Sequence, residues 1–320
     1  MINKKIAIIT GITGQDAPYL AKLLLEKNYK VIGILRESFS VNLSNLDYLG
    51  IKSKVIFETC DLSNMASVIN ILNKYNPDEF YNLASQSSVG LSFAKPTETL
   101  SFNINSVINI LEAIRITNNK IRFYQASSSE IFGDIDTLPI KETTVFNPVS
   151  PYGISKASAH WIVVNYRKAY GLYTTSGILF NHESVLRSND FIIKKVIKTA
   201  IDIKDGKQDI LEVGNIDIKR DFGYAPNYVE AMYLMMQKEK SDDYIICSGK
   251  SVSLKEIIYY IFDYFKLDKN KIVVNEKFIR PNEIKDIYGN SSKAKQILNW
   301  NYDLDFFEVL DIIINEELKR

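Results

Sequence analysis

An α/β fold, with a doubly wound parallel sheet and a smaller mixed α/β lobe after it, is predicted by three features of the 320-residue chain. Short β-branched runs alternate with amphipathic stretches through residues 1–180, a glycine turn closes the first run, and the alternation loosens after Asn181. Repeated βα units bury a parallel sheet between two layers of helices, so its strands read as continuous apolar runs rather than as alternating ones.

The elements follow in order. Residues 5–10 form the first apolar run, and 18–27 switch to helical spacing. Strands are expected at 29–35, 54–57, 79–83 and 122–126, with helices at 64–75 and 97–117. Ser150 and Pro151 open a helix over 152–170, and 173–180 is the next strand. Beyond it the chain predicts a helix at 190–204, a short strand at 210–213, and a turn-rich stretch holding Gly214, Asn215 and Gly223. Ser253 and Glu256 have capping-box spacing before the run IIYYIFDYF, and a last helix covers 305–317. No repeat and no Pro/Gly/Ser linker separates the parts. The expected division is therefore a dinucleotide-binding domain at 1–180, rejoined by segments near 215–250, and a mainly substrate-binding lobe at 181–320.

Composition narrows the function. At 36.6 kDa, 46% hydrophobic and 24% charged, the chain is globular rather than disordered. A formal charge of +1 argues against nucleic acid and anionic membrane surfaces and leaves a small molecule as the expected partner. With Cys60, Cys247, His160 and His182 as its whole stock of cysteine and histidine, the chain predicts neither a disulfide framework nor a metal centre. The start, MINKKIAIITGITG, lacks the apolar length of a signal or a membrane span, and a cytoplasmic location is expected.

Two motifs carry chemistry. Gly11, Gly14 and Ala17 bridge the first strand and the first helix, where glycines let backbone N–H groups approach a pyrophosphate and the helix N-terminus favours its charge. This is the phosphate-binding turn of a Rossmann-type fold. At the end of the second strand Arg36 and Ser38 suit a ribose 2′-phosphate, favouring NADP with NAD as the alternative, and Asp61 after the third strand suits the adenine amino group. The second motif is Tyr152 with Lys156, one helical turn apart, where the ammonium is expected to lower the phenol pKa. Ser127, Ser128 and Ser129 end the strand at 122–126, at the carboxyl edge where such sheets bind ligands. Phenol, ammonium and hydroxyl together suit proton removal from an alcohol as hydride leaves its carbon.

These residues resemble the extended short-chain dehydrogenase/reductase superfamily over nearly the whole chain. The strings GITGQD, YNLASQSSV, FYQASSSEIFG, SPYGISK, NYRKAYGLY, GILFNHES and KRDFGYA, in that order, are similar to those of the GDP-mannose 4,6-dehydratases. The resemblance implies Ser128, Glu130, Tyr152 and Lys156 as catalytic residues, Ser128 standing where the family has threonine. It implies cofactor contacts from Gly11, Thr13, Gly14, Gln15, Asp16, Arg36, Ser38, Asp61, Leu62, Leu83, Tyr152 and Lys156. For the substrate it implies Ser85, Gln86, Asn181, Lys195, Arg220, Arg280 and Glu283. Two residues beyond Ser128, Glu130 is expected on the same strand face, where it would take the C5 proton while water leaves C6.

The implied reaction converts a GDP-hexose to its 4-keto-6-deoxy product by internal hydride transfer through bound NADP. Departures at Ala17-Pro18, Glu37, Val185 to Ser188 and Lys285 widen the expected substrate from GDP-mannose to GDP-N-acetylglucosamine or a GDP-heptose. The alternatives are a nucleotide-sugar 4-epimerase or 4-reductase on the same scaffold and, more distantly, a non-catalytic nucleotide-binding protein. A homodimer or homotetramer is implied through helices 97–117 and 152–170. His160 and His182 are expected to be hydrogen-bonded structural histidines, and Cys60 and Cys247 core thiols.

Overall fold

A computed structural model describes residues 4–36 and 41–320. The first half of the chain runs β1 (Ile6–Thr10), α1 (Asp16–Glu26), β2 (Lys30–Leu35), α2 (Ser44–Tyr48), β3 (Ile56–Thr59), α3 (Met65–Tyr75), β4 (Glu79–Asn82), α4 (Val89–Ala94), α5 (Pro96–Thr117) and β5 (Arg122–Ser128). It continues through α6 (Pro151–Tyr170), β6 (Thr174–Leu179), β7 (Asn181–Glu183), α7 (Ile192–Lys204), β8 (Leu211–Val213), β9 (Lys219–Tyr224) and α8 (Ala225–Met236). Last come β10 (Asp243–Ile246), β11 (Ser251–Ser253), α9 (Leu254–Tyr264), β12 (Ile272–Val274) and α10 (Phe306–Glu317).

The main sheet has seven strands in the order β10-β6-β5-β4-β1-β2-β3, with every pairing parallel. Its two faces are covered separately. Leu20, Leu24, Met232 and Met235 of α1 and α8 pack on one face, and Val107, Ile110, Leu111 and Val163 of α3-side helices α5 and α6 pack on the other. The strand order reverses between β1 and β4, which opens a crevice at their carboxyl ends. A second core gathers Ile197, Phe222, Ile257, Phe262, Leu310 and Ile314 around α7, α9 and α10. Beside it lie the three-stranded sheet β11-β9-β7 and the pair β12-β8.

Most predicted elements stand within a few residues of their expected bounds. The third strand is the largest shift, because residues 52–54 form a 3-10 turn and pairing begins only at Ile56. The elements not predicted are α2, α4, β7, β9, α8, β10, β11 and β12; of these β7 and β11 have three residues each and pair with β9, distant in sequence. Both capping boxes, Ser253 with Glu256 and Asp305 with Glu308, close reciprocally. Of the aromatic run 259–265, Phe262 and Phe265 are buried while Tyr264 is exposed.

One glycine is required where the chain after β5 packs against the segment before α6. Gly133 has φ +64°, and a Cβ there would lie 1.7 Å from the Asn147 carbonyl oxygen. Gly133→Ala is expected to cost roughly 2–5 kcal/mol, from left-handed strain plus overpacking, measured by denaturant unfolding. A change below about 0.5 kcal/mol would contradict this packing.

Candidate active site

The turn after β1 is built for close approach. Gly11 has φ +68°, and a Cβ on it would sit 3.1 Å from the Leu83 and Ala84 backbone that follows β4. Gly14 N–H donates to the Gly11 carbonyl at 2.9 Å, and α1 starts two residues later, so its free N–H groups point into the crevice. Gln15 and Asp16 also line that space, and their side chains are tied to the chain after β6. Gln15 Nε2 donates to the His182 carbonyl at 3.0 Å and its Oε1 accepts from Ser184 Oγ at 3.0 Å. Burial alone would raise the Asp16 pKa, but the charge and hydrogen bond of His182, Nε2 to Oδ2 at 2.9 Å, outweigh it and hold the carboxylate low.

His182 is clamped as a structural histidine, with Nδ1 2.7 Å from the Phe180 carbonyl and its ring stacked on Tyr228. Burial works against its charge, yet Asp16 raises its pKa overall. His160 differs from the expectation. Its Nε2 lies 3.9 Å from Asp243 and its Nδ1 has no partner among the described residues, so packing against Phe146 and Trp161 holds it instead of hydrogen bonds. Cys60 and Cys247 are buried and free.

The reaction centre forms where β5 meets α6. Ser150 Oγ caps α6 by accepting from Gly153 N at 3.0 Å, and Pro151 occupies its first turn, so Tyr152 and Lys156 leave the helix on one side. Gly153 is required by close approach, because a Cβ there would lie 2.6 Å from the Glu130 carbonyl oxygen. Glu130 does not reach the site by strand alternation as expected. The strand ends at Ser128, and Ser129 to Ile131 form a 3-10 turn whose first N–H groups are captured locally, Ser128 Oγ accepting from Glu130 N at 3.3 Å. The turn, not period two, brings the carboxylate round to the cleft.

Electrostatics correct a second expectation. Burial pushes the Tyr152 phenol up to about 12, with the Ser128 hydroxyl pulling down and the Glu130 charge pushing up. The Lys156 ammonium does not offset this rise: it lies 5.7 Å from the ring centroid and donates to the Ala126 carbonyl at 2.8 Å. Burial brings Lys156 itself down to about 8. Desolvation is the largest cause of the shift in both groups.

A single cleft of ≈ 1630 Å³ joins the two motifs. Thr13, Arg36, Asp61, Leu62 and Leu83 line it, together with Ser128, Glu130, Tyr152 and Lys156, and with Asn181, Lys195, Arg220, Arg280 and Glu283. Ser38 lies outside the described residues. Ser85 and Gln86 border the cleft, but the Gln86 amide is engaged by Thr99 Oγ1 at 2.9 Å and the Ser88 carbonyl at 3.1 Å. Arg220 is buried. Its Nη1 donates to the Lys219 and Ile284 carbonyls, each at 2.7 Å, and burial lowers its pKa against the nearby charges of Glu130 and Glu283.

Residues 8–313 match the family model described as GDP-mannose 4,6 dehydratase. The chain belongs to that family. It is 42% identical over 99% of its length to GDP-mannose 4,6 dehydratase 1 of Arabidopsis thaliana, covering 90% of that protein. It is 36% identical to the human GDP-mannose 4,6 dehydratase, with 99% and 92% of the two chains covered. Among solved structures, DesIV, the dTDP-glucose 4,6-dehydratase of Streptomyces venezuelae with NAD and TYD bound, superposes with a TM-score of 0.88 at 18% identity, covering 98% of this chain and 97% of its own. The UDP-glucose 4-epimerase of Thermotoga maritima superposes with a TM-score of 0.86 at 21% identity over 98% of each chain. At these identities the structures share the fold.

The residues of this dehydratase-family cleft that were not assigned a role from sequence include Arg187 and Phe278. Arg187 lies 3.6 Å from the Phe191 ring centroid with Nε 3.5 Å from Glu183, and Phe278 lies beneath Lys195 at 4.4 Å. Both line the cleft. The basic and aromatic residues near Arg280 were the available signal for Phe278, and the departure at Val185 to Ser188 was the signal for Arg187.

Proposed function

We infer that this chain is a GDP-hexose 4,6-dehydratase, a hydro-lyase that forms a 4-keto-6-deoxy sugar. The observation that carries the reading is Glu130 in one cleft with Ser128, Tyr152 and Lys156. An alcohol oxidation needs only the hydroxyl, phenol and ammonium; elimination of water needs a further carboxyl group that accepts a proton and donates one. Family membership supports the GDP-sugar, and the identity of the hexose, GDP-mannose or a relative such as GDP-N-acetylglucosamine or a GDP-heptose, is for experiment.

The residues fit a dinucleotide. The crowded Gly11 turn at the start of an eleven-residue helix suits a pyrophosphate, with the Asp16 charge there offset by His182. Arg36 at the end of β2 favours the NADP 2′-phosphate, with NAD as the alternative. When bound, NADP supplies a hydride acceptor for C4 and a hydride donor for C6. Ser128 and Tyr152 orient the C4 hydroxyl, and Tyr152 takes its proton. Glu130 takes the C5 proton and delivers it to the departing C6 hydroxyl, which leaves as water; as C6 gains its hydrogen, C5 takes a solvent-exchanged proton in place of the one Tyr152 removed from the C4 hydroxyl, so atoms and charge balance. Lys156, charged below about pH 8, donates toward the sugar or cofactor hydroxyls beside Tyr152. We assign cofactor binding mainly to residues 1–180, rejoined by α8 and β10, and nucleotide-sugar binding mainly to 181–320.

The test is incubation of purified protein with GDP-mannose, GDP-N-acetylglucosamine and UDP-N-acetylglucosamine in deuterated water, followed by mass and proton NMR. Loss of water with one deuterium at C5 from a GDP-sugar supports the reading. Inversion at C4 without loss of water contradicts it and favours an epimerase.

A pH dependence follows from Lys156. Its charge is lost as pH rises through about 8, so kcat/KM falls on the alkaline side there. Lys156→Arg, whose cation persists above pH 12, moves that limb out of the measured range. An unchanged limb in the variant assigns it to another group.

No helix among the described residues is long and apolar enough to cross a membrane. We place the enzyme in the cytoplasm and read it as a homodimer or homotetramer. Ile154 and Trp161, seven residues apart on α6, are exposed, as are Ile116 of α5 and Tyr170 toward the other end of the same helix pair. Sedimentation should give at least twice 36.6 kDa, and Trp161→Glu should shift the mass toward one chain. A single-chain mass for the unaltered protein contradicts the assembly.

A further inference from the structure

Arg280 and Glu283 lie on a bridge of chain anchored at its two ends. On the upstream side β12 pairs with β8, and Asn275 N–H donates to the Val213 carbonyl at 2.8 Å. On the downstream side, residues 284–290 are strapped along β9. Lys219 N–H donates to the Lys285 carbonyl at 2.8 Å, Asp221 N–H to the Ile287 carbonyl at 3.0 Å, and Arg220 Nη1 to the Ile284 carbonyl at 2.7 Å. The same strap grips Ile140, which donates to the Tyr288 carbonyl and accepts from Asn290 N–H, each at 2.9 Å.

One side chain ties the strap to the rest of the lobe. Asp221 is completely buried, and its carboxylate accepts from Ser248 N at 2.8 Å, Ser248 Oγ at 2.7 Å, Gly249 N at 2.9 Å and Gly289 N at 3.3 Å. It thus joins β9, the loop after β10 and the strap. Packing at the Gly289 end is tight, since a Cβ there would lie 2.7 Å from the Phe180 ring and 2.9 Å from Cys247 Sγ. A buried carboxylate with four donors is costly to replace, because each donor left unmatched bears its full desolvation.

We propose that Asp221 is a positioning residue for nucleotide-sugar binding: by holding the 284–290 strap against β9, it sets where Arg280 and Glu283 meet the GDP moiety. Asp221 itself has no place in the cleft lining. The inference rests on the GDP-sugar reading above, and makes the small sheet a lever on affinity rather than on chemistry.

Asp221→Asn keeps the shape but turns an amide N–H₂ toward backbone donors. The expected result is a rise of about tenfold in KM for the GDP-sugar and in Kd for GDP by calorimetry, the scale of one charge-assisted hydrogen bond, with kcat within about twofold. Hydrogen exchange should accelerate at Asp221 and Gly289 while the amides of α6 keep their rates. Ser248→Ala, which removes a single donor to the same carboxylate, is the milder variant and should raise KM about threefold if Asp221→Asn does not fold. Unchanged KM and Kd in a variant with a loosened strap overturn the proposal, as does a fall in kcat at constant KM or acceleration of exchange across the whole protein. If the unaltered protein binds no GDP, the GDP-sugar reading fails, while exchange at the strap still tests the latch.

Discussion

Tyr152→Phe lowers turnover of the GDP-sugar by about 10³-fold and leaves the fold intact. The ring is buried and keeps its volume in the variant, so packing is preserved and stability changes by no more than about 1 kcal/mol. What is lost is the one oxygen that can take the C4 proton, with Ser128 beside it and Lys156 a turn further along α6. The phenol also carries the electrostatic difficulty of the site: burial puts it near 12, and Glu130 adds to the push. Single-turnover product analysis and a melting curve on the same sample check both halves. Turnover within tenfold of the unaltered enzyme would assign the base elsewhere.

Glu130→Gln separates oxidation from elimination. The amide occupies the volume of the carboxyl group, but cannot accept the C5 proton or hand a proton to the C6 hydroxyl. Formation of the 4-keto-6-deoxy product drops by about 10²- to 10⁴-fold, and deuterium no longer enters at C5 from solvent. Oxidation at C4 survives, because Ser128, Tyr152 and Lys156 are untouched. A rapid-quench mass spectrum that shows a 4-keto sugar with its C6 hydroxyl retained is the expected signature. Normal product carrying one C5 deuterium would remove Glu130 from the reaction. Because its turn is pinned by Ser128 Oγ and packed under Gly153, the substitution should leave the melting temperature within a few degrees.

How far the site was legible depended on whether a residue acts through its local frame. The glycine turn and the Tyr152/Lys156 pair are local: φ +68° at Gly11 and the one-turn offset on α6 follow from the chain itself. Glu130 was placed in the correct cleft for an incorrect local reason, since the strand was assumed to run past Ser128. Gln15 and Asp16 line the cleft as well, and what holds them there, contacts with His182 and Ser184 more than 160 residues away in sequence, left no local trace. Arg187 and Phe278 gave no periodic signal, because their place in the cleft comes from loops whose course depends on β7 and β12.

By itself the sequence determined the parallel α/β sheet, the phosphate turn, the reaction centre and the family, because strand and helix periods, capping and short motifs are written within a few residues. Only the tertiary structure decided the phenol and ammonium pKa values, the route of Glu130 to the cleft, and the strap that Asp221 holds. These depend on burial and on hydrogen bonds between segments distant in the chain, such as Asp221 with Ser248 and Gly289. Desolvation is a property of the packed whole, and no local pattern records it.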